Sequence, residues 1–412
     1  MERPNQAPAL LVIADDLTGA NDVGVQFAKG EIPSVVMTQP GTFPRGYEVV
    51  VVNTESRHVP PEAAAERVRN AATQGAAAGV RNFFKKTDST LRGNIGAELE
   101  ALLTATGEVS LAFVPAFPEM GRTTRDGIHY VEGIPIAESA FGSDPLSPIR
   151  DSAIVDVIRR TSKIAARSAR LGADVNWDSG CLVLDCESRR ELHEIAQWLA
   201  AKGRLRVAAG SAAFAEELPN VIELRREAAP KLELSEPILL VNGSLNPRAL
   251  EQAAAAGVGY RRVQMKVAAL LREGEAKSLV DEILSENERS VLLHSARDRD
   301  EYEMYRREAK KLGVSGSDLH KTVSNATGQI VRSLLERGNF GTLVVFGGDT
   351  LMGIARACDW SAIVPRTEVS AGITVATPLG SNLTVISKAG GFGTTDVMER
   401  ISTWVRANSR LP

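Results

Sequence analysis

Short apolar runs that alternate with helix-like segments constrain the fold of this chain more than any other feature. In the first half, the runs that predict strands are 10–15, 35–38, 48–54, 81–88, 111–116, 180–187 and 206–211. Alanine-rich helical patterns lie between them, and the clearest begins at Pro61 and ends at Gly79. Strands that alternate with helices are typical of a layered, mainly parallel sheet, so the sequence predicts an α/β fold.

The alternation stops at a charged stretch and then restarts. Residues 226–237, REAAPKLELSEP, contain two prolines and lack apolar periodicity, which is typical of a domain linker. A chain of 412 residues is also too long for one ordinary core. We therefore predict two α/β domains with mainly parallel sheets, 1–228 and 237–412, and an active-site cleft between them.

Composition and charge exclude several classes of function. The formal net charge is −3, which argues against nucleic acid or an anionic membrane as the main partner. We find no signal peptide and no apolar run near the roughly 18 residues of a membrane span. The three cysteines are few and odd in number, which favours a reducing cytoplasm over a disulfide framework. The five histidines lack metal-ligand spacing, so a zinc enzyme is not expected.

In the N-terminal half, charged and hydroxyl side chains cluster where predicted strands end. ADDLTGAND supplies Asp15 and Asp16, of which only one should face a ligand, and we favour Asp16. NTESRH supplies Arg57. The stretch KKTDSTLRGN supplies Lys86, Thr87, Asp88, Ser89 and Arg92. Ligands of open α/β sheets bind beyond the carboxyl ends of strands. Because guanidinium groups hold carboxylates and Asp accepts hydrogen bonds from hydroxyls, the pattern predicts a site for a polyhydroxy acid.

Structural explanations compete with that interpretation. Asp88 or Ser89 could cap the helix that follows, although capping would not explain Lys86 and Arg92 together. The segment PAFPEMGRTTRDG places residues 122–125 in a predicted loop, which could equally be a solvated one.

In the C-terminal half, three glycine-rich turns follow predicted strands. They are VNGSLNPRALEQ with Ser244, VVFGGDTLMG with Gly347, Gly348, Asp349 and Thr350, and ISKAGGFGTTD with Lys388 and Gly391. None is a Walker A loop or a dinucleotide fingerprint, and a single such turn could be ordinary turn chemistry. Three together predict a polyphosphate lying along helix N-termini, with Lys388 near its oxygens and Asp349 near Mg²⁺.

These motifs occur together, and in this order, in the four-carbon acid sugar kinase family, which the chain resembles over nearly its whole length. The resemblance implies that the N-terminal domain holds the sugar acid and the C-terminal domain holds ATP. The implied substrate residues are Asp16, Arg57, Lys86, Thr87, Asp88 and Ser89. The implied nucleotide residues are Ser244, Gly347, Gly348, Asp349, Thr350 and Gly391.

The implied reaction is transfer of the ATP γ-phosphoryl group to the C4 hydroxyl of a tetronate. KKTDSTLRGN is closer to the threonate and erythronate kinases than to the oxo-tetronate branch, which favours D-threonate and leaves D-erythronate, L-threonate and 3-oxo-tetronate as alternatives. Asp16 is the favoured general base, with Asp349 as the other candidate. ATP and Mg²⁺ are the expected cofactors, the metal ligands stay open, and a homodimer is left open. A sugar-acid dehydrogenase and a sensor are the rival classes. The first would need a dinucleotide fingerprint, and the second would not need phosphate loops.

Overall fold

The computed structural model describes residues 7–143, 148–173, 177–244, 246–256, 259–266, 270, 273–286, 290–296, 298–311, 313 and 316–409. The chain divides into two units, which we call the N-terminal unit (1–37 and 42–228) and the C-terminal unit (38–41 and 229–412).

The N-terminal unit is built on a parallel sheet. Its strands and those of a small additional sheet are β1 Leu10–Ala14, β2 Ser34–Met37, β3 Val49–Asn53, β4 Asn82–Lys86, β5 Ser110–Val114, β6 Arg122–Arg125, β7 Ile128–Val131, β8 Ile134–Pro135, β9 Ala166–Ala169, β10 Gly180–Leu184 and β11 Val207–Gly210. The order in the main sheet is β2-β3-β1-β4-β11-β5-β10-β9, and every pair in it is parallel. All five residues of β1 are buried, as the uninterrupted apolar run predicts for a central parallel strand.

Helices connect these strands, and local sequence explains their ends. They are α1 Leu17–Lys29, α2 Pro61–Ala78, α3 Ile95–Thr106, α4 Ile154–Arg159, α5 Arg189–Ala201 and α6 Ala212–Ala215. Helix α2 begins at Pro61 and ends before Gly79, whose φ of 86° is the left-handed value that glycine adopts without strain. The predicted bounds of this helix are therefore confirmed.

The prediction of a loop at residues 122–125 is wrong, because these residues form β6 of a small antiparallel sheet. Strand β6 pairs with β7, and β7 with β8. The turn between β6 and β7 is Asp126-Gly127, with φ values of 51° and 74°, and positive φ at both central residues is the hairpin turn that Asp-Gly favours. The sequence contained this Asp-Gly signal, and the loop interpretation overlooked it.

The C-terminal unit has a mixed sheet. Its strands are β12 Ile238–Asn242, β13 Tyr260–Gln264, β14 Ser290–His294, β15 Thr342–Phe346, β16 Ala362–Ser370, β17 Ile373–Pro378 and β18 Thr384–Lys388. Its helices are α7 Pro247–Ala255, α8 Glu273–Leu284, α9 Arg299–Lys311, α10 Gly316–Arg337, α11 Gly348–Ala357 and α12 Val397–Asn408. The order β13-β14-β12-β15-β18 is parallel, whereas β17 and β16 continue it as antiparallel strands that the sequence did not predict.

The predicted α/β class with mainly parallel sheets is confirmed, and the predicted cleft stays a prediction. Among the described residues, the helices all fall short of the length and apolarity needed to cross a membrane.

Candidate active site

The N-terminal unit gathers three charged residues at the carboxyl end of its central strand. Arg57 donates from Nε to Asp15 Oδ2 at 2.7 Å and from Nη2 to Asp15 Oδ1 at 3.0 Å, which is a bidentate pair. Arg57 Nη1 also donates to Asp16 Oδ2 at 2.5 Å. The end of β1 pairs with the ends of β3 and β4, with Ala14 opposite Asn53 and Lys86, so residues that follow these strands meet at one edge of the sheet.

The two adjacent aspartates have different surroundings. The side chain of Asp15 is 2% exposed and that of Asp16 is 28% exposed. Burial opposes ionisation of Asp15, but the charges of Arg57 and Lys85 outweigh it and hold the pKa of Asp15 below its ordinary value. Asp16 caps α1, with Oδ1 accepting from the backbone N–H of Gly19 at 2.9 Å. Asp16 is thus the more accessible carboxylate, and its catalytic role stays a prediction.

Asp88 and Arg92 form a second ion pair at this edge. Arg92 donates from Nε to Asp88 Oδ2 at 2.6 Å and from Nη2 to Oδ1 at 3.2 Å, and Thr90 donates its hydroxyl to the same carboxylate. Burial opposes ionisation of Asp88, but Arg57 and Arg92 hold its pKa well below its ordinary value. Helix α3 begins at Ile95 with Asn94 as its N-cap residue, so the alternative that Asp88 or Ser89 caps this helix is wrong.

Lys86 lies beside Asp16. A Cβ built on Gly19 would lie 2.7 Å from Asp16 Oδ1 and 2.9 Å from Lys86 Nζ, so glycine leaves room for both groups. Lys86 Nζ donates to the Thr87 carbonyl at 2.8 Å. The Thr87 side chain is 1% exposed and donates to the Gly210 carbonyl, which points it into the protein. The structure thus brings Asp16, Lys86, Arg57 and Asp88 together and leaves the Thr87 hydroxyl apart from them.

A buried ion pair lies beneath this cluster. Lys85 Nζ is 3.1 Å from Glu98 Oε2, and the two side chains are 0% and 2% exposed. Burial raises the pKa of Glu98 above its ordinary value, although Lys85 opposes that rise. Since Lys85 and Lys86 point to opposite faces of β4, one lysine supports the fold and the other reaches the edge.

In the C-terminal unit, the three glycine turns leave three neighbouring strands at the same level. Asn242 pairs with Phe346, and Phe346 pairs with Lys388, so the last residues of β12, β15 and β18 lie side by side. Backbone hydrogen bonds continue this register into the turns, from Gly243 N to Phe346 O at 3.2 Å and from Gly347 N to Lys388 O at 3.0 Å. The structure therefore assembles the three turns at one edge of the sheet.

Glycine occupies these turn positions for different physical reasons. A Cβ on Gly243 would lie 2.0 Å from Thr350 Oγ1, and one on Gly390 would lie 2.4 Å from Ser244 Oγ, so both are required for packing. Gly347 has φ of 109°. Gly348 and Gly391 do not have positive φ. Gly391 is exposed, and a Cβ built on it would lie 3.6 Å from Asn246 Nδ2, which is an ordinary van der Waals contact. At Gly391, the chain itself therefore leaves open the space that a side chain would fill.

Lys388 is engaged within its own turn. Its Nζ donates to the carbonyls of Ala389, Gly390 and Phe392 at 2.8, 3.1 and 3.0 Å, and it lies 4.6 Å from the centre of the Phe346 ring. Burial, reinforced by the charge of Arg248, lowers its pKa to about 8. Because its three hydrogens have backbone acceptors, the ammonium fixes the shape of the turn, and its place near phosphate oxygens stays a prediction.

Two helices begin at this edge. Helix α7 begins after Asn246, whose Oδ1 accepts from Arg248 N at 3.0 Å, and α11 begins after Gly347. The first backbone N–H groups of an α-helix have no acceptor within the helix and attract anions.

Asp349, in the first turn of α11, is exposed. Within the described part of the chain, three or more acidic, His or Cys side chains do not gather into a metal site. A single carboxylate with substrate phosphates is nevertheless a common way of holding Mg²⁺.

Comparison with known proteins gives these two edges a family context. Residues 10–218 match the sugar-binding N-terminal domain model and residues 239–398 match the nucleotide-binding C-terminal domain model. The chain is 32% identical to D-threonate kinase of Salmonella typhimurium strain LT2, over 93% of this chain and 95% of the relative. It is 27% identical to D-erythronate kinase of Heliobacterium modesticaldum strain Ice1, over 94% of each chain. A crystal structure from Salmonella typhimurium LT2 has the same fold, with a TM-score of 0.80, 20% identity, and 95% and 98% of the two chains covered.

The chain belongs to the four-carbon acid sugar kinase family. The predicted family and the predicted class, a phosphotransferase with an alcohol group as acceptor, are confirmed.

Sequence reasoning missed His129, which is fully buried and contacts the Ser89 carbonyl. Its position across an Asp-Gly hairpin was the available signal.

Proposed function

We propose that this chain transfers the γ-phosphoryl group of ATP to the C4 hydroxyl of a four-carbon sugar acid, with D-threonate as the leading substrate. The observation that carries the proposal is the pair of strand-end sites. One has paired carboxylates and cations for a polyhydroxy acid, and the other has three adjoining glycine turns with two helix N-termini for phosphates.

Each residue has a role consistent with its contacts. Asp16 would accept the proton of the C4 hydroxyl, because it is the accessible carboxylate and Arg57 and Gly19 fix its orientation. Lys86, its neighbour, would stabilise negative charge near that oxygen. Asp88 would accept hydrogen bonds from substrate hydroxyls, with Arg92 holding it in place.

The nucleotide would lie on the C-terminal glycine turns. Backbone N–H groups of Gly348 and Asp349 would bind phosphate oxygens, together with the Ser244 hydroxyl and the open space at Gly391. ATP supplies the phosphoryl group and Mg²⁺ neutralises its charge. Asp349, exposed in the first turn of α11, would hold Mg²⁺ directly or through water.

The choice of D-threonate rests on KKTDSTLRGN and on the similarity to a relative named D-threonate kinase. D-Erythronate and 3-oxo-tetronate are alternatives, since relatives that are each 27% identical are named for them, and L-threonate is a third.

ADP release with ATP, Mg²⁺ and a panel of four-carbon acids tests the proposal. We expect turnover that requires an acid, with D-threonate used best. Asp16→Asn should abolish turnover while ADP and D-threonate still bind, and Asp349→Asn should change the Mg²⁺ dependence. Asp156→Asn, on an exposed pair with Arg159, is the control and should be normal. Wild-type protein that releases no ADP with any acid of the panel would overturn the proposal.

A further inference from the structure

The β6–β7 hairpin is fastened to the loop that carries Asp88. His129 Nε2 is 2.9 Å from the Ser89 carbonyl oxygen, and its Nδ1 is 3.1 Å from Thr124 Oγ1. Burial lowers the pKa of His129 to about 4, so the ring is neutral near pH 7. A carbonyl can only accept, so Nε2 carries the proton and Thr124 donates to Nδ1. The neutral ring therefore connects hairpin and loop with defined hydrogen bonds.

Arg122 lies on the face of the hairpin that meets this loop. Side chains two apart on a strand share a face, and Arg122 is two residues from Thr124, which contacts His129. Arg122 interacts electrostatically with Asp88 and Arg92, as this placement requires, and also with Glu132. Arg125 lies on the opposite face, where it pairs with Glu187 and stacks on Tyr130.

Arg122 differs from the other arginines of this edge because carboxylates attract it only from beyond ion-pair distance within the described part of the chain. Arg57 is paired with Asp15 and Asp16, and Arg92 with Asp88. Arg122 forms no ion pair with a described residue, and its Nε is buried without a hydrogen-bond acceptor among them. Burial lowers the pKa of Arg122 despite the attraction of Asp88 and Glu132, and the charge of Arg92 adds to the effect. A buried donor without an acceptor is costly, and a bound anion would supply one.

We propose that Arg122 binds the carboxylate of the sugar acid and makes the site select acids over neutral polyols; this rests on the proposed function. The sequence-based candidates for this role are Arg57, Lys86 and Arg92. Asp15 occupies the bidentate face of Arg57, and Asp88 occupies Arg92. Arg122 is a guanidinium at the same edge whose Nε is unsatisfied. A planar guanidinium matches a carboxylate with two parallel hydrogen bonds. Asp16 and Asp88 then remain for the hydroxyl groups of the same molecule.

The test compares Arg122→Ala and Arg122→Lys with the matched control Arg125→Ala. Substrates are D-threonate and D-threitol, which carries an alcohol in place of the carboxylate. We expect Arg122→Ala to lower kcat/KM for D-threonate by roughly 10- to 100-fold, mainly through KM, as loss of a charge-assisted hydrogen bond predicts. Use of D-threitol should not change, Arg122→Lys should retain part of the activity, and Arg125→Ala should match wild type. Millimolar guanidinium should restore part of the activity of Arg122→Ala.

A folded Arg122→Ala variant with an unchanged KM for D-threonate would overturn the inference. Equal losses for D-threonate and D-threitol would also overturn it, because they would indicate a structural role. Calorimetry of D-threonate binding separates this failure from failure of the proposed function. Wild-type protein that binds D-threonate through Arg122 without phosphorylating it would contradict only the function. Wild-type protein that neither binds nor phosphorylates it would contradict both.

Discussion

The two candidate sites are built from different chemical groups. In the N-terminal unit, the edge of the sheet carries charges that are matched with one another, such as Arg57 with Asp15 and Arg92 with Asp88. In the C-terminal unit, the corresponding edge carries backbone amides, small residues, the exposed carboxylate of Asp349 and the ammonium of Lys388, whose hydrogens are donated to carbonyls.

This difference follows from what each site must recognise. A sugar acid presents hydroxyls and a carboxylate in one stereochemical arrangement, so fixed charged side chains can discriminate between isomers. Phosphate groups are similar in every nucleotide, and rows of N–H groups bind them without needing side-chain charge. The comparison predicts that the N-terminal site responds to changes of charge and the C-terminal site to changes of shape.

The largest effect is expected where charge is most deeply buried. Glu98→Ala leaves the Lys85 ammonium, which is 0% exposed, without its partner. We expect the free energy of unfolding to fall by about 3–5 kcal/mol, the range for breaking a buried ion pair. Denaturant titration measures this change. The double variant Lys85→Met/Glu98→Leu should lose much less, since apolar residues of similar size replace both charges. Equal losses for the two variants would mean that packing, rather than charge, holds this region.

The second-largest effect is expected for Arg57→Ala, which should impair the N-terminal site and leave the C-terminal site unchanged. The Asp15 and Asp16 carboxylates lose the cation that holds them, so the acid site loses its geometry. We expect kcat/KM for D-threonate to fall by an amount equivalent to about 1.5–3 kcal/mol of transition-state stabilisation. The affinity for ADP should be unchanged. Steady-state kinetics and ADP calorimetry provide the two measurements, with exposed Arg69→Ala as the control. A variant with normal D-threonate kinetics and weakened ADP binding would reverse the roles assigned to the units.

The sequence predicted types of residue better than it predicted their partners. Strand β1 and helix α2 followed from local apolar pattern, proline and glycine, which act over a few residues. The Arg57–Asp15 pair joins residues 42 apart in the chain, so only the register of the parallel strands could reveal it. Asp16, rather than Asp88, caps a helix because α1 follows its strand at once, whereas the loop after β4 runs to Asn94.

Gly391→Val tests whether the C-terminal site depends on shape. The chain alone would accommodate a Cβ there, so the protein should keep its melting temperature. A bound phosphate would meet the new side chain, and we expect ADP affinity to fall by about 1–3 kcal/mol, the usual cost of overpacking. Gly274→Val, at another exposed glycine with open space, is the control and should bind ADP normally. Unchanged ADP affinity in a folded Gly391→Val variant would remove this turn from the nucleotide site.

The smallest expected effect is a pH dependence of the C-terminal site, which should arise from the Lys388 ammonium. The Lys388 pKa of about 8 lies below its ordinary 10.5, so between these values the folded protein has released a proton that the unfolded chain keeps. Stability from this group therefore rises with pH across that interval. ADP affinity should move in the opposite direction, because the charged ammonium supplies three donors to the turn and attracts phosphates. We expect it to weaken by at most about tenfold per pH unit above pH 8.

Calorimetry of ADP binding between pH 7 and pH 10, beside the melting temperature, checks both trends. Lys388→Met should bind ADP more weakly than wild type at pH 7 and lose the pH dependence, because methionine has no group that takes up a proton. Opposite trends in wild type and none in the variant would assign the effect to the ammonium that fixes the turn. A variant that keeps the wild-type pH profile would show that this charge plays no part, and the C-terminal site would then bind phosphates by shape and backbone alone.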